Sequence, residues 1–123
     1  MSARLVLTLG AALLIPASVG AAERDPLAGR VAGKPVRCLN ASVTLQNPQV
    51  VDDRTILYRD GRRIWRTGPT GVCPSLRPNT TLIVRIWGGQ MCANDTFQTL
   101  VPGTSIPSGP CRFTEFTPYT KPE

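Results

Sequence analysis

Five arginines crowd one short stretch of this 123-residue chain: Arg54, Arg59, Arg62, Arg63 and Arg66, with Tyr58 and Trp65 set between them. Guanidinium groups interleaved with aromatic rings make a surface that binds anions or stacks flat groups. Arg59, Arg62, Arg63, Arg66, Tyr58 and Trp65 are therefore the candidate anion-binding or partner-binding residues. The competing reading is an edge hairpin kept soluble by its arginines, with Trp65 in the core and Asp52, Asp53 and Asp60 cancelling part of the charge.

Catalytic chemistry has fewer parts to work with. The chain contains no histidine, which removes the usual general base, the Ser/His/Asp and Cys/His pairs, and imidazole metal ligation. A serine paired with a lysine base would need Lys34 or Lys121, one in an irregular arm and the other near the end of the chain. Asp52, Asp53, Asp60, Asp95 and Glu115 are the carboxylates from which an acid and a base for glycoside cleavage would come. Adjacent strand residues point to opposite faces, so Asp52 and Asp53 cannot line one cleft if extended. A turn in which their side chains accept local backbone N–H groups accounts for them better. No glycine pattern of a phosphate-binding loop precedes a helix. We expect no catalytic residue, no metal site and no cofactor.

Cys38, Cys73, Cys92 and Cys111 are the four cysteines. An even count in an exported chain implies two disulfides. Of the three connectivities, the nested one is preferred: Cys38 with Cys111, closing the domain, and Cys73 with Cys92, stapling its middle. In the chain-entropy model these loops contribute about 4.5 and about 3 kcal/mol. No C-x-x-C spacing exists to suggest a metal instead.

Export is itself an expectation. Arg4, the apolar run Leu5 to Ile15, Pro16 and the small residues Val19 to Ala22 have the layout of a cleavable signal peptide over residues 1 to 22. As a helix, 11 apolar residues rise only about 16 Å against a hydrocarbon core of roughly 30 Å. Loss of Arg4 with the leader leaves 13 basic and 8 acidic side chains, a net charge of +5. That excess permits attraction to anionic glycans, lipid headgroups or nucleic acid, and export disfavours the last.

The elements that must position these residues are strands. Residues 23 to 37 carry Pro26, Gly29, Gly33 and Pro35 without an apolar period and read as a mobile arm. Residues 38 to 118 form the domain, and 119 to 123 a tail. The clearest element is a hairpin, residues 54 to 59 and 62 to 67 around Asp60-Gly61, a pair that favours a type I′ turn. In that register Ile56 faces Trp65, Leu57 faces Ile64 and Tyr58 faces Arg63. One face then carries Ile56, Tyr58 and Trp65, with Arg63 able to lie over a ring. Leu82 to Trp87, apolar on both faces except at Arg85, suggests a central strand. Thr96 to Val101 and Arg112 to Thr117 follow as strands, with Ser42 to Leu45 or Val50-Val51 adding a short one. Pro102 to Pro110 is a Gly, Pro and Ser loop. The fold class is all-β, a small antiparallel barrel or strongly twisted sheet of five or six strands stapled by two disulfides. Asn40, Asn79 and Asn94 each head an Asn-x-Ser/Thr triplet, read as turn chemistry.

Six segments together resemble a family of short exported bacterial proteins of unknown function. They are Asp25-Pro26-Leu27-Ala28-Gly29-Arg30, Gly33-Lys34-Pro35-Val36-Arg37-Cys38, Val51-Asp52-Asp53-Arg54-Thr55-Ile56-Leu57-Tyr58, Cys73-Pro74-Ser75-Leu76, Gln90-Met91-Cys92 and Gly109-Pro110-Cys111-Arg112-Phe113-Thr114-Glu115-Phe116. The resemblance implies a periplasmic or secreted bacterial protein and carries no activity, cofactor or catalytic residue. The expectation is a non-enzymatic envelope module that binds a protein, an anionic glycan or a lipid headgroup. An inhibitor-like protein presenting the 102–110 loop, or a carboxylate-based enzyme, are the alternatives.

Overall fold

The computed structural model describes residues 25–44 and 48–122, together with 3 and 10–13. The expected leader, with its cleavage point, lies outside the described residues except at those five positions. No helix among the described residues is long and apolar enough to cross a membrane.

The chain folds into short antiparallel strands and one helical turn. In order they are β1 (Val31–Ala32), β2 (Cys38–Asn40), α1 (Ala41–Thr44), β3 (Gln49–Asp52), β4 (Thr55–Asp60) and β5 (Arg63–Thr67). Then come β6 (Leu82–Val84), β7 (Gln90–Cys92), β8 (Thr96–Thr99), β9 (Cys111–Arg112) and β10 (Thr117–Thr120). A five-stranded sheet has the order β1-β10-β5-β4-β3, a two-stranded sheet pairs β2 with β7, and a three-stranded sheet runs β6-β8-β9. All are antiparallel and open, so the all-β class holds while the barrel alternative does not.

The β4–β5 hairpin organises the largest sheet. Tyr58 pairs with Trp65, Leu57 with Arg66, Arg59 with Ile64 and Asp60 with Arg63. This differs by two residues from the register expected of an Asp60-Gly61 loop. The loop is Gly61-Arg62, and of these two only Gly61 has positive φ, at 58°, the glycine-first pattern of a type II′ turn. A slip of two preserves which face each residue occupies, where a slip of one would have reversed every side chain. Ile56, Tyr58 and Trp65 therefore still share the core face, and the Arg63 guanidinium lies 5.2 Å from the Trp65 ring. Leu57 and Ile64 are buried on the opposite face as well. Their cross-strand partners are Arg66 and Arg59, both exposed.

The core gathers Leu39, Val50, Ile56, Tyr58, Trp65, Leu76, Met91, Phe97, Phe113 and Phe116 from all three sheets. Phe97 and Phe113 stack with centroids 4.4 Å apart. Phe113 and Phe116 are both fully buried although three residues apart, a spacing that one straight strand cannot place on one face. The chain bends between them, so the strand expected over residues 112 to 117 splits into β9 and β10, which belong to different sheets.

Four further expectations are corrected. Leu82 to Trp87 is not central: only Leu82–Val84 is strand, and it lies at the edge of its sheet. Its unbroken apolarity reflects half-burial on both faces, not hydrogen-bonded neighbours on both edges. Ser42 to Thr44 belongs to the helical turn α1, while Leu45 lies outside the described residues. The arm and the tail are not irregular throughout, because Val31–Ala32 pairs with Tyr119 and Thr120, and Val36 bridges Phe116. The nested disulfide pattern is also wrong. Cys38 bonds Cys92 and Cys73 bonds Cys111, an interleaved arrangement. Cys38 stands directly opposite Cys92 in the β2–β7 ladder, and the Pro69–Phe113 bridge with the Thr70 N–H to Arg112 carbonyl bond brings Cys73 to Cys111.

Two of the three asparagine triplets start in turns as expected, while Asn40 ends β2 and leads into α1. Asn79 and Asn94 hold φ values of 62° and 73°, and the Asn40 side-chain oxygen accepts from the Ser42 N–H at 3.0 Å.

Candidate functional site at the basic end of the sheet

The residues that sequence composition groups together do not form one patch. Tyr58 is 1% exposed and its hydroxyl lies 3.8 Å from the Met91 sulfur. Burial raises its phenol pKa well above the ordinary value. Trp65 is 7% exposed, and its indole N–H donates to Asp60 Oδ2 at 3.2 Å. Both aromatics are core residues and present no ring to a partner. Arg59 and Arg66 project from one face of the sheet, Arg63 lies on the other, and Arg62 occupies the turn between β4 and β5.

Arg59 lines a cavity beside Asn79 to Leu82, and two other cavities each carry two arginines. Arg66 meets Arg54 across a cleft of about 460 Å³ that also holds Thr67, Gly68, Thr114 and Glu115. A carboxylate inside that cleft offsets its positive charge. The second, of about 550 Å³, is lined by Arg30, Arg62, Thr120, Lys121 and Pro122. Among the described residues its lining contains three cations and no carboxylate.

Three separate stretches of chain build the second cavity, and backbone pairing explains the convergence. Pairing of β1 with β10 and of β10 with β5 puts the start of β1, the end of β10 and the β4–β5 turn at one end of the five-stranded sheet. Arg30 Nη1 donates to the Arg62 carbonyl at 2.7 Å and reaches the Tyr119 carbonyl at 3.4 Å, tying the three stretches together. Thr120 faces Arg63 across the ladder, but the Arg63 guanidinium lies over the Trp65 ring and does not line the cavity. Asp60, facing Arg63 from β4, is the nearest carboxylate in that register, and it is engaged by the Trp65 indole.

Of the cavity's lining residues the sequence singles out Arg62, whereas Arg30 and Lys121 sit in stretches read as arm and tail. The available signal was Thr117-Pro118-Tyr119-Thr120, three of whose four residues favour strands.

Besides Asp60, two of the five carboxylates named for hydrolysis accept local backbone N–H groups. Asp52 Oδ1 accepts from the Arg54 N–H at 2.8 Å, and Asp95 Oδ2 from the Cys92 N–H at 2.7 Å. Among the described residues no three of His, Cys, Asp and Glu stand together as a metal site.

Comparison with known proteins finds no matching family model, no similar curated protein and no similar solved structure.

Proposed function

We propose that this chain is an exported, non-enzymatic binding module of the bacterial envelope, periplasmic or secreted, that engages an anionic group at the basic end of its sheet. The observation that carries the reading is the convergence of Arg30, Arg62 and Lys121 on one open cavity with no carboxylate among the described residues that line it. Three cations from separate segments focus positive potential in a way that dispersed surface charge does not. The ligand chemistry is a phosphate or carboxylate, which either an anionic glycan or a lipid headgroup supplies; guanidinium groups bind both bidentately. Two disulfides are consistent with an oxidising location outside the cytoplasm, and the leader-like residues 1 to 22 and the resemblance to short exported proteins support the same compartment.

The test is binding of the oxidised protein to phosphatidylglycerol vesicles and, separately, to a soluble uronic-acid polysaccharide. The reading requires binding to at least one, weakening with salt because exposed charges are screened within roughly 8–10 Å at 0.1–0.15 M. The double variant Arg62→Ala/Lys121→Ala should weaken it at least about tenfold. Equal binding by the variant, or none by the parent, would refute it.

A second reading rests on the 102–110 loop. Val101 to Thr104 closes a turn with Gly103 at φ 75° and the Thr104 N–H on the Val101 carbonyl at 3.0 Å. Ile106 is 63% exposed, and the loop is fastened at its base by Ser108 Oγ on the Thr99 N–H at 2.9 Å. A rigid loop with one apolar side chain outward suits insertion into an enzyme cleft. Absence of inhibition across a protease panel would remove this reading.

A further inference from the structure

Trp87 is 71% exposed, in a chain whose other tryptophan is buried. It precedes Gly88 and Gly89, with φ values of 60° and 72°, the two consecutive positive angles that a type I′ turn requires. The Gln90 N–H donates to the Trp87 carbonyl at 3.1 Å and closes the turn. A Cβ added at either glycine would meet nothing within 4 Å, so the tip is open to solvent on that side.

The tip is also held firmly. β7 begins at Gln90 and pairs with β2, where the Cys38–Cys92 disulfide locks the ladder. The Ala41 N–H donates to the Gly89 carbonyl at 2.8 Å. An aromatic side chain on so fixed a backbone loses little freedom when it binds.

Its surroundings decide what it would bind. Trp87 pairs with Gln90, and Gln90 pairs with Asn40, so the three side chains form a row on one face with neighbours about 5 Å apart. All three residues are exposed. Asn40 uses its side-chain oxygen on the Ser42 N–H, which leaves its NH₂ to donate outward. The other large exposed apolar residues of the domain, Val31, Val36, Val72, Val101 and Ile106, are not on this hairpin. A bilayer or an apolar protein surface would meet one ring among amides, whereas a sugar needs that combination.

We propose that Trp87, Gln90 and Asn40 form a stacking subsite for a pyranose ring bearing an acetamido group. The C–H face of the ring, slightly positive, lies on the negative π-face of the indole. The Gln90 and Asn40 amides donate to and accept from the acetamido group and the ring hydroxyls. One subsite binds weakly, with a Kd on the order of 1 mM, and gains strength when several copies or rings engage together. The subsite is separate from the basic cavity, so either proposal survives failure of the other.

Tryptophan emission reads this directly, since Trp65 is buried and Trp87 exposed. The oxidised protein is titrated with the β-1,4-linked tetramer of N-acetylglucosamine, the corresponding glucose tetramer, and phosphatidylglycerol vesicles. The acetamido tetramer should shift emission to the blue and protect Trp87 from acrylamide. Binding should weaken at least about tenfold in Trp87→Ala and several-fold in Gln90→Ala, and the glucose tetramer should bind several-fold less well. Both exchanges are at exposed positions, and the unchanged Trp65 emission verifies that the variants fold. No response to the acetamido tetramer, an undiminished response in Trp87→Ala, or a response confined to vesicles would overturn the proposal.

Discussion

Tyr58 stands directly opposite Trp65 across the β4–β5 ladder, and both side chains are buried. This pair fixes the core face of the hairpin and so decides which arginines are left to face water. Trp65→Ala should cost about 3–5 kcal/mol through lost burial and the cavity left behind. Asp60→Ala, which strips the indole N–H of its acceptor, should cost about 1–2 kcal/mol. Urea unfolding followed by far-UV circular dichroism measures both, and an Asp60→Ala variant as stable as the parent would contradict the bond.

Alkaline pH provides a second check on the same pair. Burial raises the Tyr58 phenol above its ordinary pKa, so the folded state holds this proton more tightly than the unfolded state. The sign follows by linkage: the associated stability is complete below about pH 10 and declines as pH rises above it. The Tm of the parent should therefore fall between pH 9 and pH 11.5, an interval of roughly two units about the ordinary tyrosine value. Tyr58→Phe should fall less over that interval. Parallel slopes would show that Tyr58 ionises equally in both states.

Gly68 is required by close packing. A Cβ there would collide with the backbone carbonyl oxygen of Arg54, whereas one at Gly109 would meet nothing within 4 Å. Gly68→Ala should lose about 1–3 kcal/mol as the β3–β4 turn is pushed away, and Gly109→Ala should change little. Equal effects at the two positions would contradict the close approach.

Both disulfides should matter about equally. They span separations of 54 and 38 residues, for which the chain-entropy model gives about 4 kcal/mol each. Peptide mapping without reduction should recover the 38–92 and 73–111 linked pairs. Recovery of a 38–111 or 73–92 pair would contradict the fold, since Cys38 could not then face Cys92 across the β2–β7 ladder.

How far the sequence carried can be judged residue by residue. Period-two alternation marked the core face of the hairpin because Ile56, Tyr58 and Trp65 answer to local geometry alone. Its register escaped by two residues because Asp60 reads as a turn residue, whereas it pairs with Arg63 in the ladder and accepts from the Trp65 indole. Leu82-Ile83-Val84 looked central because burial on two faces and pairing on two edges leave the same apolar signature. The disulfide pairing was not legible, since it depends on β2 meeting β7, a contact between strands about 50 residues apart. The basic cavity was half legible for the same reason: Arg62 announces itself beside the turn, but Arg30 and Lys121 reach it only through β1 and β10.

The central claim is that anions bind where Arg30, Arg62 and Lys121 converge. Backbone amide shifts of the isotope-labelled, oxidised protein, followed during titration with inorganic pyrophosphate, locate the site without prior choice of variants. The account predicts that the largest saturating changes fall at Arg30, Arg62, Arg63, Thr120 and Lys121. Changes centred instead on Arg54 and Arg66, or spread evenly over all the arginines, would contradict it.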